Sequence, residues 1–376
     1  MLVSMPISNF LSSGRLVMAL MFAAVLAGCA SPAIRGQLSY DLRPQNERTD
    51  LVWPQPPDPP RYRYIGELVG EPNFVPVEKK DVTVASAVNW LAGIFEDPDP
   101  LMMLRPQHGL VSDDGRIYVV DAGRSAVFVF DPNPPADGKS NKEGGQLIVW
   151  NGREGQVGFN APVAIAEVWD GDLAVSDAGA AAVLRINRNG VMVSHFGEDI
   201  LKRPTGLAFD KRRGLLYVAD TAANDIKVYD NGGRLVDTVG GPGEDIRSLN
   251  APTHMAFVDD HLYVSDTLNS RIQIFDEAGQ RVRGFGERGI TVGNMARPKG
   301  VAADGAGILY VVESYFGHLL AYNDKYEFLM GINGTGAKND AFSLPSGVWT
   351  DKQRRVYVAD MFNGRIVVFQ LLDAKD

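Results

Sequence analysis

The chain has 376 residues, of which 45% are hydrophobic and 22% charged, with 46 acidic side chains against 37 Lys or Arg and a formal charge of −9. That composition suits one large core or two ordinary ones and excludes a disordered chain, while the acidic balance argues against non-specific binding to nucleic acid. Cys29 is the single cysteine, so no intramolecular disulfide and no multi-thiolate metal site can form.

The first predicted element is an apolar run from Leu16 to Leu26 behind Arg15, too short for the roughly 20 residues a membrane-spanning helix needs. It reads as the core of a signal peptide over 1–28, ending in Leu26-Ala27-Gly28-Cys29. That tetrapeptide resembles the lipobox of bacterial lipoproteins, which implies acylation of Cys29. With several acyl chains, each methylene contributing about 0.8 kcal/mol, the membrane would be held almost permanently. Ala30 after the cysteine resembles the sorting pattern for the outer membrane, which places the protein in the bacterial envelope facing the periplasm. Residues 29–60 end in Trp53-Pro54-Gln55-Pro56-Pro57-Asp58-Pro59-Pro60 and are expected to form a semi-rigid tether, extended at about 3.1 Å per residue.

The remainder, 61–376, is expected to be one domain, because six segments of it align with one another. Each starts at a proline: Pro106, Pro162, Pro204, Pro252, Pro298 and Pro345. An apolar strand then ends on an acidic residue, at Asp121, Asp177, Asp220, Asp266, Glu313 and Asp360, and nine residues later a third strand closes on Phe130, Ile186, Tyr229, Phe275, Tyr322 and Phe369. A fourth strand follows in five units: Gln146 to Trp150, Val191 to Phe196, Arg234 to Val239, Gln280 to Phe285 and Tyr326 to Met330. Four strands in units of roughly forty to fifty-six residues are the signature of a propeller blade.

The six units over 105–371 leave the last one without a fourth strand. The alternating stretch 61–70, Tyr62-Arg63-Tyr64-Ile65-Gly66-Glu67-Leu68-Val69 and its flanks, is expected to supply it and close the ring. The insert 71–104 contains Ala85, Val88, Leu91, Ala92 and Phe95 at helical spacing, which predicts a short amphipathic helix over 84–96. The predicted fold class is thus all-β: a six-bladed β-propeller of four-stranded blades, closed by an N-terminal strand.

The repeated Pro-x-Gly-aliphatic-Ala, Leu-Tyr-Val-Ala-Asp and Asn-x-Arg-Ile pattern resembles the NHL repeat. The likeness is plainest in Asp266-Thr267-Leu268-Asn269-Ser270-Arg271-Ile272 and Asp360-Met361-Phe362-Asn363-Gly364-Arg365-Ile366. The resemblance implies the propeller fold but spans RNA-binding domains, protein-interaction modules, sensor domains and an amidating lyase, so chemistry must be argued from the site.

Sixfold repetition marks the acidic residues as turn clamps that accept backbone N–H bonds. The residues around the prolines differ between units and are the candidate ligand site at one mouth of the channel. Arg105, Arg203 and Arg297 precede the proline in units one, three and five, Lys299 follows one, and His108 and His254 occupy equivalent positions in units one and four. The arginines would form a ring suited to a small anion, unless each pairs with a turn carboxylate. Leu268, Tyr315, Phe316, Met361 and Phe362 in the following turns are expected to form an apolar partner patch on the same face.

His108 and His254 are the candidates for a Zn or Ca ion, as the lyase resemblance implies. Two ligands fall short of the three usual in a catalytic zinc site, however, and His195, His261 and His318 lie elsewhere in their units. Neither G-x-S-x-G nor H-E-x-x-H occurs. The sequence therefore points to a binding or scaffolding module without a cofactor for a protein, peptide or small anionic ligand; a metal-dependent hydrolase or lyase with its active site in the channel is the alternative.

Overall fold

A computed structural model describes residues 34–372 apart from 49, 77–98, 134–143, 154, 244–245 and 334–340. The signal peptide expected over 1–28, Cys29 and the helix expected over 84–96 lie outside the described residues. The chain divides at Ile34/Arg35, and the unit that begins at Arg35 carries the blades.

Six antiparallel sheets form the blades, numbered here in chain order. Their inner strands are Pro106–Val111, Pro162–Glu167, Pro204–Asp210, Pro252–Val258, Pro298–Ala303 and Val348–Thr350. Each inner strand packs against the next, and that of blade 6 returns to that of blade 1, so the blades form a ring. The second and third strands are buried on both faces, as in Ile117–Asp121 and Ala126–Asp131, because each blade is sandwiched between two others. The core accordingly lies between blades: Tyr118, Val120 and Val127 of blade 1 meet Ile165, Val175 and Leu184 of blade 2. That double burial explains why the middle strands read as continuous apolar runs whereas the outer strand Met192–Phe196 is mostly exposed.

The ring closes as the alternation at 61–70 predicts. Tyr62–Leu68 pairs antiparallel with Arg365–Leu371, Leu68 opposite Ile366 and Tyr62 opposite Leu371. One inner strand departs from expectation: that of blade 6 begins at Val348, not at Pro345. Its first residues bond sideways, Gly300 N–H to the Ser346 carbonyl and Gly347 N–H to that of Gln107, both at 2.8 Å. They stitch blades 5, 6 and 1 together while also bonding to Ala359 of the second strand, Ser346 N–H to its carbonyl at 2.8 Å and its N–H to the Gly347 carbonyl at 2.9 Å.

Of the tether expected over 29–60, two stretches are strands paired to the propeller. Ile34–Leu38 lies along the outer strand of blade 1 and Val52–Trp53 along the closing strand, with Val52 opposite Arg63 and Trp53 opposite Tyr62. Proline forbids regular pairing only from Pro54 to Pro60; before it, Leu51 and Trp53 are apolar and pack on the blade 6 core, Trp53 edge-on to Phe369 at 5.4 Å. Both segments cover edges whose N–H and C=O groups would otherwise stand unpaired. Buried Asn73 locks the end of the first of these segments to the closing strand. Its amide donates to the carbonyls of Ser39 and Glu67 at 2.8 and 2.7 Å, and its oxygen accepts from Val69 N–H at 2.7 Å and Gly70 N–H at 3.1 Å.

Trp53→Ala should therefore lower the unfolding free energy by about 1–3 kcal/mol, below the 3–5 typical of a fully buried tryptophan because Trp53 is half-buried. A urea titration reads this as a lower midpoint; a residue in a free tether would leave the midpoint unmoved.

Candidate functional site: the proline face of the channel

At one end of the ring the proline that opens an inner strand pairs with the acidic residue that ends the second strand, as Pro204 with Asp220 and Pro298 with Glu313. All six carboxylates are buried. Asp177 accepts N–H bonds from Gly179 and Ala180 at 3.0 Å in the turn, and also from Asn160 and Ala161 at 2.7 and 2.8 Å. Asp220 takes Lys202, Arg203 and Ala223, and Glu313 takes Arg297, Tyr315 and Phe316. The turn clamp is thus half of the role; the other half holds the loop that enters the inner strand. Burial raises the pKa of Asp121 and Asp360 against the pull of these donors.

The Asn-x-Arg signature has a physical meaning in the same contact. In blade 4, Asn269 and Arg271 donate to Asp266 at 2.9 and 2.8 Å, and in blade 6, Asn363 and Arg365 donate to Asp360 at 2.7 and 2.8 Å.

Since these donors fill the carboxylates, the mouth arginines do not pair with them through their side chains. Arg105, Arg203 and Arg297 give only their backbone N–H groups. Their guanidiniums are exposed and form no ion pair among the described residues. Arg105 lies over the Phe362 ring at 5.7 Å. Lys299 is half-buried in the inner strand, and burial, then the charge of Arg297, pulls its pKa down.

The structure brings His108 and His254 together. Their rings face each other across the channel at 5.8 Å between centroids. His108 accepts the Ile165 N–H on Nδ1 at 3.5 Å, while Nδ1 and Nε2 of His254 have no hydrogen-bond partner. His108 is half-buried and His254 buried; desolvation lowers the pKa of His108 to about 4 and that of His254 well below 6.5, the latter helped by His108 and Lys299. Glycine makes the room: a Cβ on Gly347 would come within 2.9 Å of the His108 ring and one on Gly206 within 2.7 Å of the His254 Cα.

Trp349 is a channel residue that sequence reasoning missed. It lies 5.8 Å from His108, stacks on Tyr357 at 5.6 Å, and buries an Nε1 with no partner. The signal was present, since the position four residues after the proline holds Leu110, Ala166, Ala208, Ala256 and Ala302 in the other units. Gly109 alone admits the ring, for a Cβ there would lie 2.6 Å from it.

The apolar residues lie in the turns on this face, but they are not equally free. Leu268, Tyr315 and Phe362 are about half exposed, at 46%, 57% and 52%. Phe316 packs edge-on to Tyr315 at 4.9 Å, and the Met361 sulfur accepts the Gln107 amide at 3.0 Å.

No group of three His, Cys, Asp or Glu side chains converges among the described residues. His195 sits near Glu198 and His261 on the Asp259 carbonyl, both away from the channel pair, and His318 lies in a third strand opposite Glu313.

Neither a protein-family model nor a curated protein matches the chain. Solved structures do. Virginiamycin B lyase from Staphylococcus aureus is similar with a TM-score of 0.52 and 14% identity, over 71% of this chain and 95% of that one. A gluconolactonase from Xanthomonas campestris gives 0.55 and 16% over 72% and 87%. An auxiliary nutrient binding protein from Bacteroides thetaiotaomicron gives 0.54 and 13% over 72% and 70%. At such identities the likeness establishes the propeller fold, which enzymes and binding proteins share.

The two depressed histidines predict a pH dependence of stability. With folded pKa values below the unfolded 6.5, the unfolded chain binds more protons between pH 6.5 and about 4, so stability is fully present above that window and falls as pH drops through it. His254→Gln should shrink the difference between urea midpoints at pH 7 and pH 5. Equal pH dependence in variant and parent would show that the ring is not held desolvated.

Proposed function

We propose that this protein is an NHL-type propeller lipoprotein of the bacterial envelope that binds a small anionic ligand at the proline face without transforming it. The observation that carries this reading is that Arg105, Arg203, Arg297 and Lys299 stand around one channel mouth with no carboxylate partner among the described residues, in a protein of net charge −9. Cations left unpaired at one place on an acidic protein make a local positive field that attracts and orients an anion. Arginine adds planar donors matched to a carboxylate. The repeat pattern with its Asn-x-Arg contacts supports the NHL assignment, and the resemblance at Cys29 supports the anchor on the outer membrane facing the periplasm.

Replacing Arg105, Arg203 and Arg297 together by Gln should weaken binding of citrate, used as the probe, by at least about tenfold in calorimetry, while stability stays within the ±0.5 kcal/mol of ordinary surface changes. Raising salt from 0.05 to 0.5 M should weaken the parent in the same direction, because exposed charges are screened. Citrate affinity untouched by both changes would remove the anion site.

Cys29→Ala should abolish incorporation of labelled palmitate and release the protein from the membrane fraction. Unlabelled, soluble parent protein would refute the anchor.

A further inference from the structure

Blade 5 breaks a hydrogen-bonding pattern that its neighbours complete. In blade 3 the hydroxyls of Thr205, after the proline, and Thr221, after the acidic residue, bond at 2.7 Å, and Thr221 donates on to the Pro252 carbonyl of the next blade at 2.6 Å. Blade 4 repeats this with Thr253 and Thr267 at 2.7 Å and Thr267 to Pro298 at 2.7 Å. The equivalent pair in blade 5 is Lys299 and Ser314. Here the bond is not made: Ser314 Oγ is buried with no partner, and no bond to the Lys299 ammonium is formed among the described residues. The inner strand of blade 4, which packs on that of blade 5, carries His254, only 4% exposed and with both ring nitrogens unpartnered; burial first, then the charges of His108 and Lys299, holds its pKa well below 6.5.

Buried polar groups without partners each cost about 1–3 kcal/mol and are rare in folded proteins. Two such groups stand here, the Ser314 hydroxyl and the His254 imidazole, each able to donate, beside the half-buried ammonium of Lys299, and no carboxylate among the described residues answers any of the three. Two oxygens with about four lone-pair sites between them would. Next to Ser314 the chain presents Tyr315, 57% exposed, and blade 6 presents Phe362, 52% exposed, with Arg105 over its ring. The same turns in blades 2 and 3 carry Gly179, Ala180, Ala222 and Ala223, so the apolar half of the rim is on the Lys299 side.

We propose that the site takes a monocarboxylate with an aromatic body, its head group seated on Lys299, Ser314 and His254 and its body laid against Tyr315 and Phe362. This rests on the anion-binding reading above and narrows it.

Phenylacetate, acetate and phenylacetamide titrated into the full-length protein separate the parts of the proposal. Phenylacetate should bind at least tenfold more tightly than either of the others. Lys299→Thr, which restores the threonine pattern of blades 3 and 4, should cost phenylacetate at least tenfold while the thermal midpoint is kept or raised. Tyr315→Ser with Phe362→Ser should bring phenylacetate down to the affinity of acetate. Phenylacetamide binding as well as phenylacetate, or Lys299→Thr leaving affinity unchanged, would overturn the proposal. Equal affinities for acetate and phenylacetate, both lost in the triple arginine variant, would overturn the aromatic seat and leave the anion site standing; absence of binding by either acid at low salt would overturn both.

Discussion

The buried carboxylate at the end of each second strand is the contact on which the other features of this propeller depend. It accepts N–H groups from the turn that follows and from the loop that enters the inner strand, so one side chain joins three stretches of its blade. Bonds of this kind to an ionised acceptor contribute about 1.5–3 kcal/mol each, and several converge on every carboxylate. In blade 6 the clamp is also tied to ring closure: the Arg365 guanidinium that donates to Asp360 reaches Glu67 of the closing strand at 2.9 Å. Because the backbone fills these acceptors, the arginines beside them keep their side chains for something else. The chemistry of the face is thus a by-product of how its turns are held.

The channel shows the same economy of space. Inner strands approach closely where a glycine replaces a side chain, as Gly206, Gly300 and Gly347 do; blade 2 has the small Ala164 at this position, and blades 1 and 4 put histidines there instead. Opposite one another in a ring of six, the two imidazoles meet in the lumen. Their neutrality follows from desolvation, which also pulls down the pKa of half-buried Lys299.

Much of this was legible in the sequence for a definite reason. A propeller repeats its constraints, so prolines, acids and closing apolar residues recur in step, and the missing fourth strand points to the stretch at 61–70. What occurs once was harder to read. Ile34–Leu38 and Val52–Trp53 belong to no repeat, and the prolines after Trp53 masked its apolar contact with Phe369. Whether Arg105 and its counterparts pair with the turn acids could not be settled from residue types, because it depends on how many N–H groups already point at each carboxylate. Trp349 was hidden for the opposite reason: it departs from its aligned positions, and only the close approach of Gly109 gives that departure a meaning.

The closing strand also constrains the order in which the molecule can be assembled. Glu67 and Arg365, which meet across the last seam, are 298 residues apart in the chain. Each blade can form its own hairpins as it is synthesised, yet the ring has no finished edge until the final strand Arg365–Leu371 exists to receive Tyr62–Leu68. Contacts so distant in sequence are slow to form, because loop closure must precede any gain from them. Until then both strands present open edges that invite pairing with other chains. Ring closure therefore depends on the strand Arg365–Leu371, and a truncation near Arg365 would remove the partner of Tyr62–Leu68 and leave the ring unclosed.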